Sequence, residues 1–356
     1  MAKRGIGLDI GTSAVKLVEV EGTPQSVRIS RFGTAPLPEG SLNSGVVANI
    51  AEVSMAIREI FQKNKVTAKN VAVAIAGQAV IVRNIKMPVM PQEELDGAVR
   101  WEAEKYLPFP AEEIILDYQV INRDEAQQEL EIMLVCAHNS IINSHLETLK
   151  ESDLQPVAID IQPFALMRAV GLENSANRNS IALLDIGAGT SDLTIIKNGV
   201  PRFTRIIPLA GQRLTEGVQK NLEVSFAEAE QLKIKHSDAL LELAQYSTDS
   251  PAFKVNFAIQ ESLRELVMEL RRSFDYYQMQ QRNEEISQLI IAGGGAKMKN
   301  LISFLNKELG VPVVAAQAAN NPATANQNTQ AQINEALPML MVAYGLALRE
   351  VIPDAS

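Results

Sequence analysis

Short apolar runs separated by glycine-bearing turns open the chain, and a second set begins near its midpoint. Residues 6–10, 15–21 and 27–34 read as three strands, with Gly22-Thr23-Pro24 turning between the second and third. A polar loop over 36–44 leads into a helix over 48–64, where Ile50, Val53, Ile57 and Ile60 recur on one face. Residues 71–75, Val-Ala-Val-Ala-Ile, make a buried strand. Strands first, then a helix, then a strand returning parallel is the layout of a mixed sheet covered by helices.

The pattern breaks at Met87-Pro88. A helix starts at Gln92-Glu93-Glu94, acids suited to the positive end of a helix dipole, and Pro108 and Pro110 stop it. Strands over 114–122 and 130–138, a helix over 141–152 and a segment over 156–161 follow, so 84–158 reads as a compact α+β insertion. The second half opens with a strand over 181–185 and another over 201–207. Helical stretches over 213–245, with a break, and 253–281 come next; the latter carries Leu263, Leu266, Val267, Leu270 and Phe274 as a core-facing stripe. A buried strand then runs into Gly293-Gly294-Gly295, with a helix from about Met298. Residues 315–332, rich in Ala, Asn and Gln, read as a solvated loop, and 337–348 as a short helix carrying Gly345.

Length adds a constraint: 356 residues exceed one ordinary core and call for two domains or more. A net charge of −9 with acids and bases mixed along the chain argues against nucleic acid as a partner. Lys3-Arg4 leads straight into a strand rather than a signal peptide, and the longest apolar run, 339–348, is too short to cross a bilayer. The single cysteine, Cys136, forms no internal disulfide, which fits a cytoplasmic protein. His138, His145 and His236 show no metal-ligand spacing with it and read as surface or core filler.

The candidate chemistry lies in a repeated hairpin. Asp9-Ile10-Gly11-Thr12-Ser13 and Asp185-Ile186-Gly187-Ala188-Gly189-Thr190-Ser191 each end an apolar strand in Asp, turn through Gly and Thr-Ser, and start a second apolar strand. Aligned on the acids the offset is 176; aligned on the hydroxyls it is 178. Glycine lets successive N–H groups point at one spot, an anion-binding concavity to which the hydroxyls add donors. A carboxylate is tolerable beside phosphates when a divalent cation lies between them. One such turn is commonplace. Two, each heading half a chain, point to phosphate binding with Mg²⁺ between Asp9 and Asp185.

Together these segments resemble the actin-like ATPase superfamily. Phosphate motifs would be 9–16 and 185–191, an adenosine motif 291–298, and connecting helices 160–170 and 339–348. The insertion resembles the 1C subdomain of FtsA and PilM. The run Trp101-Glu102-Ala103-Glu104-Lys105-Tyr106-Leu107-Pro108-Phe109-Pro110, with Asp117-Tyr118-Gln119-Val120 after it, is similar to the PilM family of type IV pilus assembly. That resemblance implies an α/β, actin-like (ribonuclease H-like) duplicated fold. Subdomain 1A would be 1–83, 159–174 and 340–356; 1C, 84–158; 2A, 175–210 and 285–339; 2B, 211–284. It implies ATP and Mg²⁺ as ligands, with Gly11, Thr12, Ser13 and Lys16 on one side and Gly187, Gly189, Thr190 and Ser191 on the other. Asp9 and Asp185 would hold the metal through water; Gly211, Gln212, Glu230, Lys233, Gly293, Gly294 and Met298 would meet phosphate, ribose or nucleoside. Gln162, or else Asp160, stands where relatives orient the attacking water, so any ATPase would be weak. The implied partners are the N-terminal cytoplasmic tail of PilN, the pilus inner-membrane complex and its motor or platform proteins, with the chain cytoplasmic and peripheral to that membrane. An FtsA-like filament former and a small-molecule kinase share the fold. The acidic tail, residues 351–356, lacks the basic amphipathic character of a membrane tether, and no second-substrate base stands out.

Overall fold

A computed structural model describes residues 3–173, 179–281, 284–320, 322–323 and 327–352. Strands β1 (Lys3–Ile10), β2 (Ala14–Thr23) and β3 (Ser26–Pro36) form an antiparallel meander. A two-residue hairpin, β4 (Leu42–Asn43) and β5 (Val46–Val47), leads to helix α1 (Ile50–Lys63), whose first turn is capped by the Asn49 side chain accepting from the Glu52 amide. Its apolar stripe covers one face of the sheet with Val53, Ile57 and Ile60 fully buried. Strand β6 (Asn70–Ile75) then joins β1 in parallel.

Strand β7 (Val80–Pro88), helix α2 (Gln92–Ala103), β8 (Ile114–Asp124) and β9 (Glu129–His138) make a separate three-stranded antiparallel sheet in the order β7-β9-β8. Helix α2 buries Leu95, Val99 and Ala103 against Ile85, Met87, Leu130, Ile132 and Leu134 on one face of it. Helix α3 (Asn139–Glu151) and strand β10 (Gln155–Ile161) follow, and here the expected insertion 84–158 needs correction. Strand β10 pairs in parallel with β6 as the edge of the first sheet, and α3 packs on α1, with Ser54 Oγ donating to the Thr148 carbonyl at 3.1 Å. The small sheet therefore spans 80–138. Local periodicity cannot tell which sheet a strand joins.

Helix α4 (Gln162–Ala169) crosses to the second half, where β11 (Ser180–Ile186), β12 (Ser191–Lys197) and β13 (Val200–Ile207) repeat the meander. Helices α5 (Gly211–Leu222), α6 (Phe226–His236) and α7 (Pro251–Gln280) precede β14 (Ile286–Ala292), α8 (Leu301–Leu309) and β15 (Val313–Ala315). The orders β3-β2-β1-β6-β10 and β13-β12-β11-β14-β15 match strand for strand: antiparallel, antiparallel, parallel, parallel. The chain is a duplicated α/β fold.

The final helix, α9 (Gln327–Val351), is longer than the short helix expected over 337–348. Its Asn/Gln-rich start hides the helical period, yet Ile333 is fully buried. Residues 321 and 324–326 of the expected loop, the first domain boundary at 174–175 and the tail 353–356 lie outside the described residues. Helix α9 crosses β1 closely enough that a Cβ at Gly7 would meet the Ala343 carbonyl oxygen at 1.9 Å, and a Cβ at Gly345 would meet that of Ala165 in α4 at 1.7 Å. Backbone-to-backbone contact of this kind is open only to glycine. Helices α4 and α9 thus cross tightly between the two sheets. Among the described residues no helix is long and apolar enough to cross a membrane.

Candidate functional site

Each repeated hairpin closes in the same way. The Gly11 amide donates to the Ala14 carbonyl at 3.1 Å, and the Gly187 amide to that of Thr190 at 2.9 Å. Across the strands Asp9 pairs with Lys16, and Asp185 with Asp192. All four equivalences carry the offset of 176 set by the acids (185 − 9), so the two Thr-Ser pairs are not equivalent. Ser191 occupies the place of Val15: fully buried, with its hydroxyl donating to the Leu209 carbonyl. It faces away from the cleft, and Asp192 faces in.

The hairpins face one another. A Cβ built on Gly189 would lie 2.8 Å from Thr12 Oγ1. Between the halves lies a cavity of about 340 Å³, within the range of small-molecule sites. Asp9, Gly11, Thr12, Ser13 and Lys16 line one wall; Asp185, Gly187, Gly189, Thr190 and Gln212 line the other; Gly293 and Gly294 close one end. Gly293 has φ +88°, and a Cβ there would lie 2.3 Å from Asp185 Oδ1, so the glycine segment passes directly over that carboxylate. Helix α5 is moored to the second hairpin, with the Gly211 and Gln212 amides donating to the Gly187 and Ala188 carbonyls at 3.0 and 2.8 Å.

Charge in the cleft is uneven. Lys16 Nζ pairs with Asp9 Oδ2 at 2.7 Å, Asp9 being 1% exposed. Burial alone would lower the Lys16 ammonium, but Asp9 and Asp185 outweigh it and hold the pKa above its ordinary value. Asp185 has no such direct partner: burial, with Asp192 and Asp9 nearby, lifts its carboxyl to about 7 despite Lys16. Burial likewise raises Asp192 to about 6, although Thr190 Oγ1 donates to it at 2.9 Å. Three carboxylates therefore share one lysine. Among the described residues no three acidic, histidine or cysteine groups converge tightly enough to chelate a metal alone. A cation here would need oxygens brought by a ligand and water, as Mg²⁺ takes beside a phosphate chain.

Several expected contacts do not line this cavity. Lys233 Nζ donates to the Gly211 carbonyl at 3.0 Å and to Thr215 Oγ1 at 2.9 Å, while Glu230 accepts from Thr215 and pairs with Lys233 at 2.6 Å; both brace the first turn of α5. Met298 lines a separate small apolar pocket, and Gly211 supports the hairpin from behind. Gln162, at the head of α4, does reach the cleft, where its Nε2 donates to Asp9 Oδ1 at 3.3 Å. Asp160 does not: it is buried at the α4–α9 crossing, accepting from Arg168 at 3.0 Å and Arg349 at 3.1 Å.

Two lining residues carry signals the sequence reading passed over. Asp192 follows once the hairpins are aligned on their acids, as the counterpart of Lys16. His145, expected as filler, sits 2% exposed in the cavity wall with Nδ1 donating to the Ile141 carbonyl at 2.9 Å, a bond that fixes the tautomer with Nε2 as acceptor. Burial lowers its pKa against the pull of Ile141 and Asp9, so the ring is neutral near pH 7.

The sequence profile described as "Type IV pilus assembly protein PilM" matches residues 7–351. The chain belongs to the PilM family. This PilM-family chain is 31% identical to a chain of the solved structure described as a PilM–PilN type IV pilus biogenesis complex and superposes on that chain with a TM-score of 0.85, covering 98% of this chain and 99% of that one. The cell division protein FtsA of Bacillus subtilis is 25% identical over 336 residues, 84% of this chain and 75% of that protein. FtsA of Neisseria meningitidis is likewise 25% identical, over 86% of this chain and 82% of its own. MreB5 of Spiroplasma citri, solved with AMPPNP bound, shares the fold at a TM-score of 0.55 and 16% identity over 98% of this chain and 96% of its own. The fold is actin-like, and the protein is an actin-like member of the type IV pilus assembly family.

Proposed function

We propose that the cleft binds ATP with Mg²⁺ and that the protein is a nucleotide-switched scaffold of pilus assembly. The observation that carries this is the facing of the two hairpins, Thr12 against Gly189, with Asp9 and Asp185 in one cavity. Amides of Thr12 and Ser13 and of Ala188 to Thr190, in the turns that the Gly11 and Gly187 amides close, would cradle the phosphates; Lys16 adds a positive charge, and Gly293-Gly294 leaves flat backbone for the nucleoside. Asp9 and Asp185 would hold Mg²⁺ through water, and the ion when bound neutralises phosphate charge. Gln162 is the water-orienting candidate, but it is already hydrogen-bonded to Asp9, so turnover is at most slow.

The second half of the reading concerns the partner. The N-terminal cytoplasmic tail of PilN is proposed to dock beside the small sheet, and through it the protein lies at the cytoplasmic face of the inner membrane. Similarity at 31% identity to a PilM–PilN complex supports this, as do four exposed apolar side chains on that unit: Trp101 (64%), Tyr106 (44%), Ile115 (48%) and Val120 (38%). Nucleotide state would adjust that docking. The test is calorimetry with Mg-ATP on Asp9→Ala combined with Asp185→Ala: binding should vanish with the fold retained by circular dichroism. Unchanged affinity removes the hairpin assignment.

A further inference from the structure

The small sheet is joined to the first half by the chain and by Val80, Val82 and Ala137 packed with Ile75, Ile141 and Ile161, and it also leans on the second half through polar side chains. Its face away from α2 carries Val82, Asn84 and, by register with Lys86, Glu131. Asn84 Nδ2 donates to the Pro201 carbonyl of β13 at 2.8 Å. The next residue, Arg202, forms an ion pair with Glu131 of β9. At 20% and 22% exposure this pair is sheltered from the screening that weakens surface bridges.

Strands β7 and β13 are edge strands of their sheets, but no backbone ladder joins them among the described residues. Pro201 brings no N–H to that edge, and its carbonyl takes the Asn84 amide instead. The contact can therefore part and re-form without tearing a sheet. It also borders the nucleotide cleft: a cavity of about 30 Å³ between Val82 and Thr204 is walled by Ala76, Gly77 and Asp192, which line the larger cavity as well.

We propose that Asn84–Pro201 and Arg202–Glu131 form a latch by which the second half carries the small sheet with it. This rests on the reading of the cleft as an ATP site. When a bound ligand changes the angle between the halves, β13 must either drag β7 and β9 along or release them. In both cases cleft occupancy is reported at the small sheet, which is the differential contact that coupling between two sites requires.

The test is hydrogen exchange on the full chain with and without ATP and Mg²⁺. In the wild type, exchange over 80–88 and 129–138 is expected to change on binding, together with protection of the hairpins 9–16 and 185–192. In Arg202→Ala, and in Arg202→Ala with Asn84→Ala, the small-sheet change should be lost while hairpin protection persists. Exchanging the charges, Arg202→Glu with Glu131→Arg, should restore it; the single variant Arg202→Ala carries the test if the double variant does not fold. A small-sheet response that survives Arg202→Ala, or one missing from a wild type whose hairpins are protected, overturns the latch alone. A wild type in which neither region responds to Mg-ATP overturns the ATP reading and the latch together.

Discussion

Asp185→Asn should move stability and ligand binding in opposite directions. In the free protein the Asp185 carboxyl is lifted from 3.8 to about 7, chiefly by burial and then by Asp192 and Asp9, with Lys16 opposing. A carboxyl that holds its proton more tightly when folded stabilises the fold below its unfolded pKa, and that contribution is lost as pH rises through the folded value. The window is thus pH 3.8 to about 7, with stability falling as pH rises. A shift of this size corresponds to roughly 4 kcal/mol in all, of which about 2–3 kcal/mol falls between pH 5 and 8. Asp185 keeps partial contact with cleft water, which screens its charge and makes these figures ceilings. Asparagine has nothing to ionise. Urea melts in EDTA should show the variant gaining on the wild type from pH 5 to 8, while calorimetry shows Mg-ATP binding lost. A stability difference flat across that range would refute the charge strain assigned to Asp185, and retained Mg-ATP affinity would refute its place at the metal.

Lys16→Met removes the partner of Asp9, which is 1% exposed, and should cost about 3 kcal/mol in urea melts by leaving a buried carboxylate unpaired; it should also weaken ATP binding, and a neutral effect on both would contradict the ion pair's role. Gly345→Val forces a side chain into the Ala165 carbonyl, where even a Cβ would stand at 1.7 Å, and should destabilise by about 1–3 kcal/mol or more, read as a lower thermal midpoint. Trp101→Ala, at 64% exposure, should leave stability nearly unchanged while weakening capture of a PilN tail peptide; unchanged capture would move the docking face elsewhere.

Much of this was legible in the residues. The two Asp-Gly hairpins, the strand runs and the α7 stripe follow from period and turn chemistry, which are local. What escaped depends on contact between distant parts. Helix α3 and β10 look like the end of the insertion because they follow it in sequence, but β10 is claimed by β6. Ser191 carries the residue type of a phosphate donor and the position of a core residue, and only the shared Gly-to-carbonyl closure of the two hairpins reveals the register. Glu230 and Lys233 carry the polar side chains expected beside a nucleoside, yet α5 uses both to hold its first turn. His145 was invisible because a helix face shows its neighbours only once folded.

The measurement closest to the central claim is a crystal of the protein grown with AMPPNP and Mn²⁺, using manganese anomalous scattering to locate the metal. The account predicts one peak between Asp9 and Asp185, with the phosphates held between Thr12 and Gly189. Nucleotide and metal bound elsewhere, with the cleft between the hairpins filled by water, would contradict it.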